Sequence, residues 1–527
     1  MYQTPTGSKF ATLISETSKT KQELENTMKS NIPKSLGTLA LGASLPVRAN
    51  FITAVIPYAE PTTAEYSIFP LLSAGDAVPR TSDPLSSYRM IGIPDGLGAQ
   101  AGAGGTINVF MNHELTKSTL SQPIVGGPTN RGAFVSKWIH NGTNGAVLSG
   151  DYAFTNVFAE NVLVGPTPQV GNSTPAFSRF CSGDLAPAEA GFDRSIYFAG
   201  EESSGADTFD GTGGLTVAIF DGELHTIPKA GRFPWENTVV RPDAGELTVL
   251  MCMEDGPTTP DSQLYLYVGR KDHRPGANAM RRNGLDNGDL YVFVANRKQV
   301  TSEIQFTGGQ IQGKWVNIPG AEFLSDSQLE ATADSLGAFG FIRTEDGAFR
   351  PGNPNEYYFV TTGSTIPGSA IQPNKLGRLY KLELNDDDVL GPCKLRVIYN
   401  ADEIIAAGGD IALSPDNMAV SADYIMINED GTGDSRPVMT SLGRQGGIWR
   451  LDLNNNYAAS YIAEFTGLGR NGVQTNPGIW ETSGIIDMSG ILGVESWLFD
   501  VQAHSPTPAP APLTVEDGQL LLMIRNP

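Results

Sequence analysis

Six short segments of the chain end in the same way. An apolar or aromatic run stops on a glutamate, with a second polar residue or a glycine close by: "MNHELT" at 111, "AGEESS" at 199, "MCMEDG" at 251, "RTEDG" at 343, "INEDGT" at 427 and "WETSG" at 480. The glutamates are Glu114, Glu201, Glu254, Glu345, Glu429 and Glu481, spaced by 87, 53, 91, 84 and 52 residues. The shorter intervals approach the about 40–50 residues of a four-stranded propeller blade, and the longer ones leave room for insertions. Second strands such as "QLYLYVG", "EYYFVTTG" and "GIWRLDL" follow. Strand, acidic turn, strand, repeated six times, predicts an all-β chain folded as a six-bladed β-propeller with insertions. A single such ending is a hairpin turn, because Asp-Gly favours turns. Six in one chain predict a ring.

Composition agrees with many short strands. Of 527 residues, 60 are Gly and 35 are Pro, while 18% are charged and 40% hydrophobic. That is too apolar for general disorder. The formal net charge of −21 argues against a nucleic-acid partner, since phosphate backbones are repelled on average. It leaves two uses for the acids, solubility or neutralisation by bound cations. No apolar run reaches 18 residues, so no transmembrane segment is expected. Residues 8–32 have the best helical pattern, which predicts an N-terminal arm over 1–50 ahead of a single propeller domain over 51–527. A short helix is expected at 326–336. A Pro/Ala linker near 505–512 precedes a last strand. No twin arginine, and no basic stretch leading into an apolar one, is visible as an export signal.

If the glutamate segments are the innermost strands, their carboxylates meet at one mouth of the central channel. Crowded acids there cannot all stay ionised without cations. Strand alternation places Asn112, Ala199, Cys252, Arg343, Ile427 and Ile479 on the same face, two positions earlier. A carboxylate ring with an asparagine suits a hard ion such as Ca²⁺. A thiolate among oxygens favours a redox-active metal, and iron is the natural candidate. An arginine beside bound cations favours a polyoxygen anion, of which phosphate is the commonest. Together these point to metal-assisted phosphoryl transfer. The five histidines lack zinc spacing, and no G-x-S-x-G elbow or Walker loop is present.

The segments "MNHE" (111–114), "SRFCSGDLAP" (178–187), "YFAGEESSG" (197–205), "MEDG" (253–256), "RTEDG" (343–347), "NEDGTG" (428–433) and "GRQGGIWRL" (443–451) occur in this order. In them the chain resembles the PhoX-type bacterial alkaline phosphatases, which are calcium- and iron-dependent phosphomonoesterases. The resemblance implies a six-bladed propeller and a cluster of Fe³⁺ and Ca²⁺ ions. It implies Cys181 as the thiolate ligand, although register alone favours Cys252. It implies Glu201 or Glu202, Glu254, Glu345 and Glu429 as further ligands, with Asn112 and Glu114 beside them. Arg343 resembles a phosphate-binding arginine and Arg444 a second one. Glu481 comes from the repeat alone. Small phosphorylated substrates, a monomer and a periplasmic or extracellular location are expected on the same ground. Two other readings stay open: a Ca²⁺-dependent propeller esterase or lactonase, and a non-catalytic propeller braced by Ca²⁺.

Overall fold

The structure is a computed structural model that describes residues 53–527 apart from 258, 471 and 505–508. The expected N-terminal arm and the helix at 8–32 lie outside the described residues. Almost all regular structure is antiparallel β. Beside two small two-stranded sheets, four sheets of four to six strands stand alone, and one of nine strands joins two units at their outer edges through Gln310–Ile318 and Cys393–Asn400.

Each unit has one innermost strand: Pro94–Ala101, Phe180–Ala186, Trp235–Val240, Thr344–Arg350, Pro415–Val420 and Glu481–Asp487. Each innermost strand touches the next, and the last touches the first, so the sheets radiate from a closed ring, as in a β-propeller. Read as blades, the units number six, with the nine-stranded sheet holding two. The last unit takes its outer strand from early in the chain: Tyr66–Ser73 pairs with Gly518–Arg525. That pairing ties the two ends of the described chain and leaves no open gap in the ring.

The cores lie between neighbouring sheets. Trp235, Phe198, Tyr265 and Val292 fill one gap, and Trp497, Trp480, Met426 and Phe499 fill another. Trp138, Trp235, Trp480 and Trp497 are fully buried. Removing a large apolar side chain from water contributes roughly 1.5–3 kcal/mol, so stacking flat sheets face to face is what stabilises the ring. The short helix expected at 326–336 is Asp326–Leu336. Its Ser325 and Gln328 form a capping box and Gly337 closes it at φ 82°. Among the described residues no helix is long and apolar enough to cross a membrane.

One expectation needs correction. Of the six glutamate segments, only those of Glu345 and Glu481 begin innermost strands. Glu201, Glu254 and Glu429 end the second strands of their sheets, and Glu114 follows directly on another second strand. A strand that stops at a polar turn has the same sequence pattern in either place. The true innermost strands carry an acid, or in one case a cysteine, at their first or second position and show little periodicity.

Candidate metal centre

The six innermost strands carry their chemistry at the same point. Asp95, Cys181, Glu236, Glu345 and Asp416 are each the second residue of their strand, and Glu481 is the first of its own. In every one of the six the pairing register breaks just there, between Asp95 and Leu97, Phe180 and Gly183, Trp235 and Thr238, Thr344 and Gly347, Pro415 and Met418, and Thr482 and Ile485. A β-bulge adds unpaired residues, bends the strand and re-aims a side chain. Repeated around a ring, it turns Cys181, Glu236, Glu345, Asp416 and Glu481 toward one space of about 290 Å³, with Asp95 beside Cys181 and Glu114. Their neighbours tie the strands together below them, twice between adjacent strands and once across the ring. Asn417 donates to Ser182 Oγ at 2.5 Å, Asn237 donates to Asp346 at 2.6 Å, and Ser182 Oγ donates to Glu236.

The second strands supply an outer circle. Pro94 pairs with His113, Phe180 with Glu201, Trp235 with Glu254, Thr344 with Thr361 and Pro415 with Glu429. Successive strand residues face opposite ways. The residue after each partner therefore faces the pocket: Glu114, Glu202, Asp255, Thr362 and Asp430. The same count in the last unit gives His504, since Glu481 pairs with Gln502. Glu114, Glu202, Asp255, Asp430 and His504 line the pocket, and Thr362 Oγ donates to Glu345 at 2.5 Å.

Three of these partners face away and brace the turns that lead into the ring. Glu201 accepts the Ser178 N–H at 3.0 Å and Glu429 the Leu413 N–H at 2.7 Å, while His113 Nδ1 meets the Gly92 carbonyl at 2.9 Å. Each braced residue is three before its ring residue. For Glu345 the brace is Glu303, which accepts the Ile342 N–H at 3.0 Å. The next residue in each of these turns has a left-handed backbone: Ile93 at φ 43°, Arg179 at 48°, Arg343 at 57° and Ser414 at 45°. Such conformations are costly for these residue types and persist only where the surroundings enforce them. Arg179 and Arg343 thus occupy equivalent turns of two sheets, and both line the pocket.

Both arginines are held by acids. Arg179 Nε meets Glu114 at 2.9 Å and its Nη2 meets Glu202 at 2.5 Å. Arg343 meets Asp255 through Nε at 3.1 Å and Nη2 at 3.0 Å, and Glu345 through Nη2 at 3.1 Å. Among the described residues, Nη1 of neither arginine donates to a protein group. Gln502 Nε2 bridges Asp95 and Glu114, at 3.0 Å to each.

Charge crowding dominates the site. Burial, followed by neighbouring carboxylates, pushes Asp95, Glu236 and Asp416 well above the usual carboxylate range. Burial lifts Glu345 to about 8, with Asp255 adding to it, and Asp430 to about 7, with Glu481 adding. Burial also pushes the Cys181 thiol up, as do Asp95 and Glu236. Glu481 differs: burial raises it, but the hydrogen bond and charge of His504 outweigh that and leave it below the usual range. Three sets of ligand atoms lie within 4.8 Å of one another: Asp95–Glu114–Cys181, Cys181–Glu202–Glu236 and Glu236–Glu345–Asp416. They share Cys181 and Glu236, so they form one arc. Glu236 Oε2 is buried without a hydrogen-bond partner. Opposed carboxylates with an orphaned oxygen and one sulfur fit metal ions. The two thiol-bearing sets suit a softer metal and the all-oxygen set a hard one.

The site residues read from sequence separate into two groups. Glu114, Cys181, Glu202, Arg343, Glu345 and Glu481 line this pocket. Glu201, Glu254, Glu429, Asn112 and Arg444 do not. Glu254 accepts the Gln263 N–H at 2.9 Å. Glu429 is paired with Arg444 at 2.8 Å, which leaves that arginine in a buried ion pair, shared with Asp410 at 2.9 Å. Asn112 donates to the Cys181 carbonyl at 2.6 Å and so holds the bulge rather than facing the pocket. Cys252 packs in a core. Sequence reading missed Asp95, Arg179, Glu236, Asp255, Asp416, Asp430 and His504. The signal for three of them was an acid second in a strand, in "PDGLG", "WENTV" and "PDNMA".

Residues 225–486 match the sequence model of the family described as alkaline phosphatase PhoX. That span holds Glu236, Asp255, Arg343, Glu345, Asp416, Asp430 and Glu481. Asp95, Glu114, Arg179, Cys181 and Glu202 lie ahead of it. No curated protein matches the chain in sequence. In structure the chain is similar to PhoX of Pseudomonas fluorescens, solved in complex with vanadate, a transition state analogue. The identity is 16% and the TM-score 0.63, over 92% of this chain and 97% of that one. A polysaccharide lyase described as PL25 ulvan lyase aligns at 8% identity and a TM-score of 0.32, over 90% and 93% of the two chains, too weakly to carry an argument. Over residues 225–486 the chain thus carries the sequence pattern of the alkaline phosphatase PhoX family, and it shares the fold of a PhoX structure.

Proposed function

We propose that the pocket hydrolyses phosphate monoesters with iron and calcium ions held by the ring. Asp95, Glu114, Cys181, Glu202 and Glu236 would hold the iron, because they form the sets that contain sulfur. Glu236, Glu345 and Asp416 would hold calcium with oxygen alone. Bound there, the metals supply Lewis acidity toward phosphoryl oxygens.

The chain's own part is to bind and orient. Arg179 and Arg343 stand on equivalent left-handed turns, each fixed by two carboxylates through Nε and Nη2 and each with Nη1 free of protein partners among the described residues. Planar guanidinium donors held in place suit the equatorial oxygens of a transferring phosphoryl group. Their rigidity means little reorganisation accompanies the gain of charge. This pair of free Nη1 groups over a metal-fitted ring is the observation that carries the proposal. The family match supports it. So does the Pseudomonas fluorescens relative's complex with vanadate.

The test is hydrolysis of p-nitrophenyl phosphate by metal-loaded protein, before and after exhaustive chelation. Turnover that is lost on chelation and restored by iron with calcium is expected. Turnover indifferent to chelation would refute the metal role. Hydrolysis of a carboxylic ester or lactone in place of the phosphate would favour the esterase reading.

A further inference from the structure

The same six innermost strands line a second, larger cavity at their other ends. It measures about 590 Å³ and draws on residues from Leu97–Ala99, Gly183–Ala186, Val239–Val240, Gly347–Arg350, Met418–Val420 and Ile485–Asp487. The polar layer of Ser182, Asn237, Asp346 and Asn417 separates it from the acidic ring. We propose that this opposite mouth of the channel binds an organic cation with an apolar body.

The size falls within the about 300–1,000 Å³ of small-molecule pockets, which are mostly apolar with a few convergent polar groups. Here Leu97, Leu185, Val239, Phe349, Met418 and Ile485 supply apolar wall. Two carboxylates stand inside it, in different states. Asp346 is saturated: it accepts from Asn237 Nδ2, from the Met418 N–H at 3.0 Å and from the Gly347 N–H at 2.6 Å. Asp184 takes one hydrogen bond among the described residues, from the Val240 N–H to Oδ2 at 3.1 Å. Its other oxygen is left for a ligand.

Charge at the mouth selects the sign. Glu189, Asp243 and Asp487 line the rim, and Arg350, the one basic lining residue among those described, is paired with Glu356 at 3.2 Å. An anion would meet carboxylates with no free cation to answer them. A neutral apolar ligand would cover Asp184 without pairing it, and an unpaired buried charge is expensive. An ammonium group beside Asp184, with its hydrocarbon against the wall, satisfies both demands.

The test is isothermal titration of metal-loaded protein with benzyltrimethylammonium chloride. Saturable 1:1 binding is expected, undiminished by inorganic phosphate at the acidic ring. Asp184→Asn keeps an oxygen acceptor for the Val240 N–H and should weaken binding at least tenfold. Ala348→Trp, which fills the cavity without changing its charge, should abolish it. Benzenesulfonate should give no saturable heat. The proposal is overturned by absent binding, by equal affinity in Asp184→Asn and wild type, by equal binding of benzenesulfonate, or by competition from phosphate.

Discussion

Glu201 and Glu202 are adjacent, as are Glu254 and Asp255, and Glu429 and Asp430, yet the two acids of each pair belong to different regions. The second acid faces the pocket and meets other carboxylates or an arginine. The first faces away and accepts backbone N–H groups of loops. The difference is one step of a strand, which reverses the side chain. It teaches that adjacent acids of like composition do opposite work: one set crowds its charges where cations relieve them, the other holds backbone around the ring, in the case of Glu201 the turn that carries Arg179.

The largest contrast is expected within the pocket. Glu345→Gln or Asp416→Asn should lower phosphate monoester turnover by about 10³-fold or more, roughly 4 kcal/mol of barrier. The same change removes a like charge, so the metal-free variant should melt above metal-free wild type. A lower melting point would show that these acids are structural instead.

Behind the pocket the sign reverses. Glu429→Ala strips Arg444 of its buried partner and should cost about 3 kcal/mol of stability, read as a shift of the denaturation midpoint. An unchanged midpoint would mean that Asp410 alone suffices for Arg444. Between the two regions stand the arginines. Arg179→Ala and Arg343→Ala should each lower turnover by about 10²-fold, the scale of losing one fixed donor to a developing oxyanion, with metal content unchanged. Loss of metal in either variant would assign the arginine to holding the ring.

The smallest expected effect is a pH slope. In the metal-free protein Glu345 is lifted to about 8, above the roughly 4.3 of an unfolded glutamate. Between those values the native state binds more protons than the unfolded state, so stability falls as pH rises through the window, by at most about 1.4 kcal/mol per unit for one group. Metal-loaded protein should lack that slope. A flat profile without metal would mean that burial and the neighbouring Asp255 do not lift Glu345 in the native state.

Much of this was legible in the sequence, for identifiable reasons. Alternating strands ending in Glu and Gly announced a repeated sheet, and Arg343 with Glu345 was found because both sit in one short motif. Cys181 and Glu202 came from resemblance rather than periodicity. What stayed hidden is the bulge. Asp95, Glu236 and Asp416 follow Pro or Trp in strands whose register breaks at once, so no period-two pattern marks them. Arg179 matches Arg343 only through the left-handed turn that both share, and a backbone conformation enforced by tertiary bracing leaves no trace in residue type.

The most direct measurement is elemental analysis of a matched pair of variants, Glu202→Gln and Glu201→Gln, purified alike. The account predicts that the first loses iron while the second keeps the wild-type complement. Retained iron in Glu202→Gln together with loss in Glu201→Gln would contradict it, because the ring would then have to face the other way.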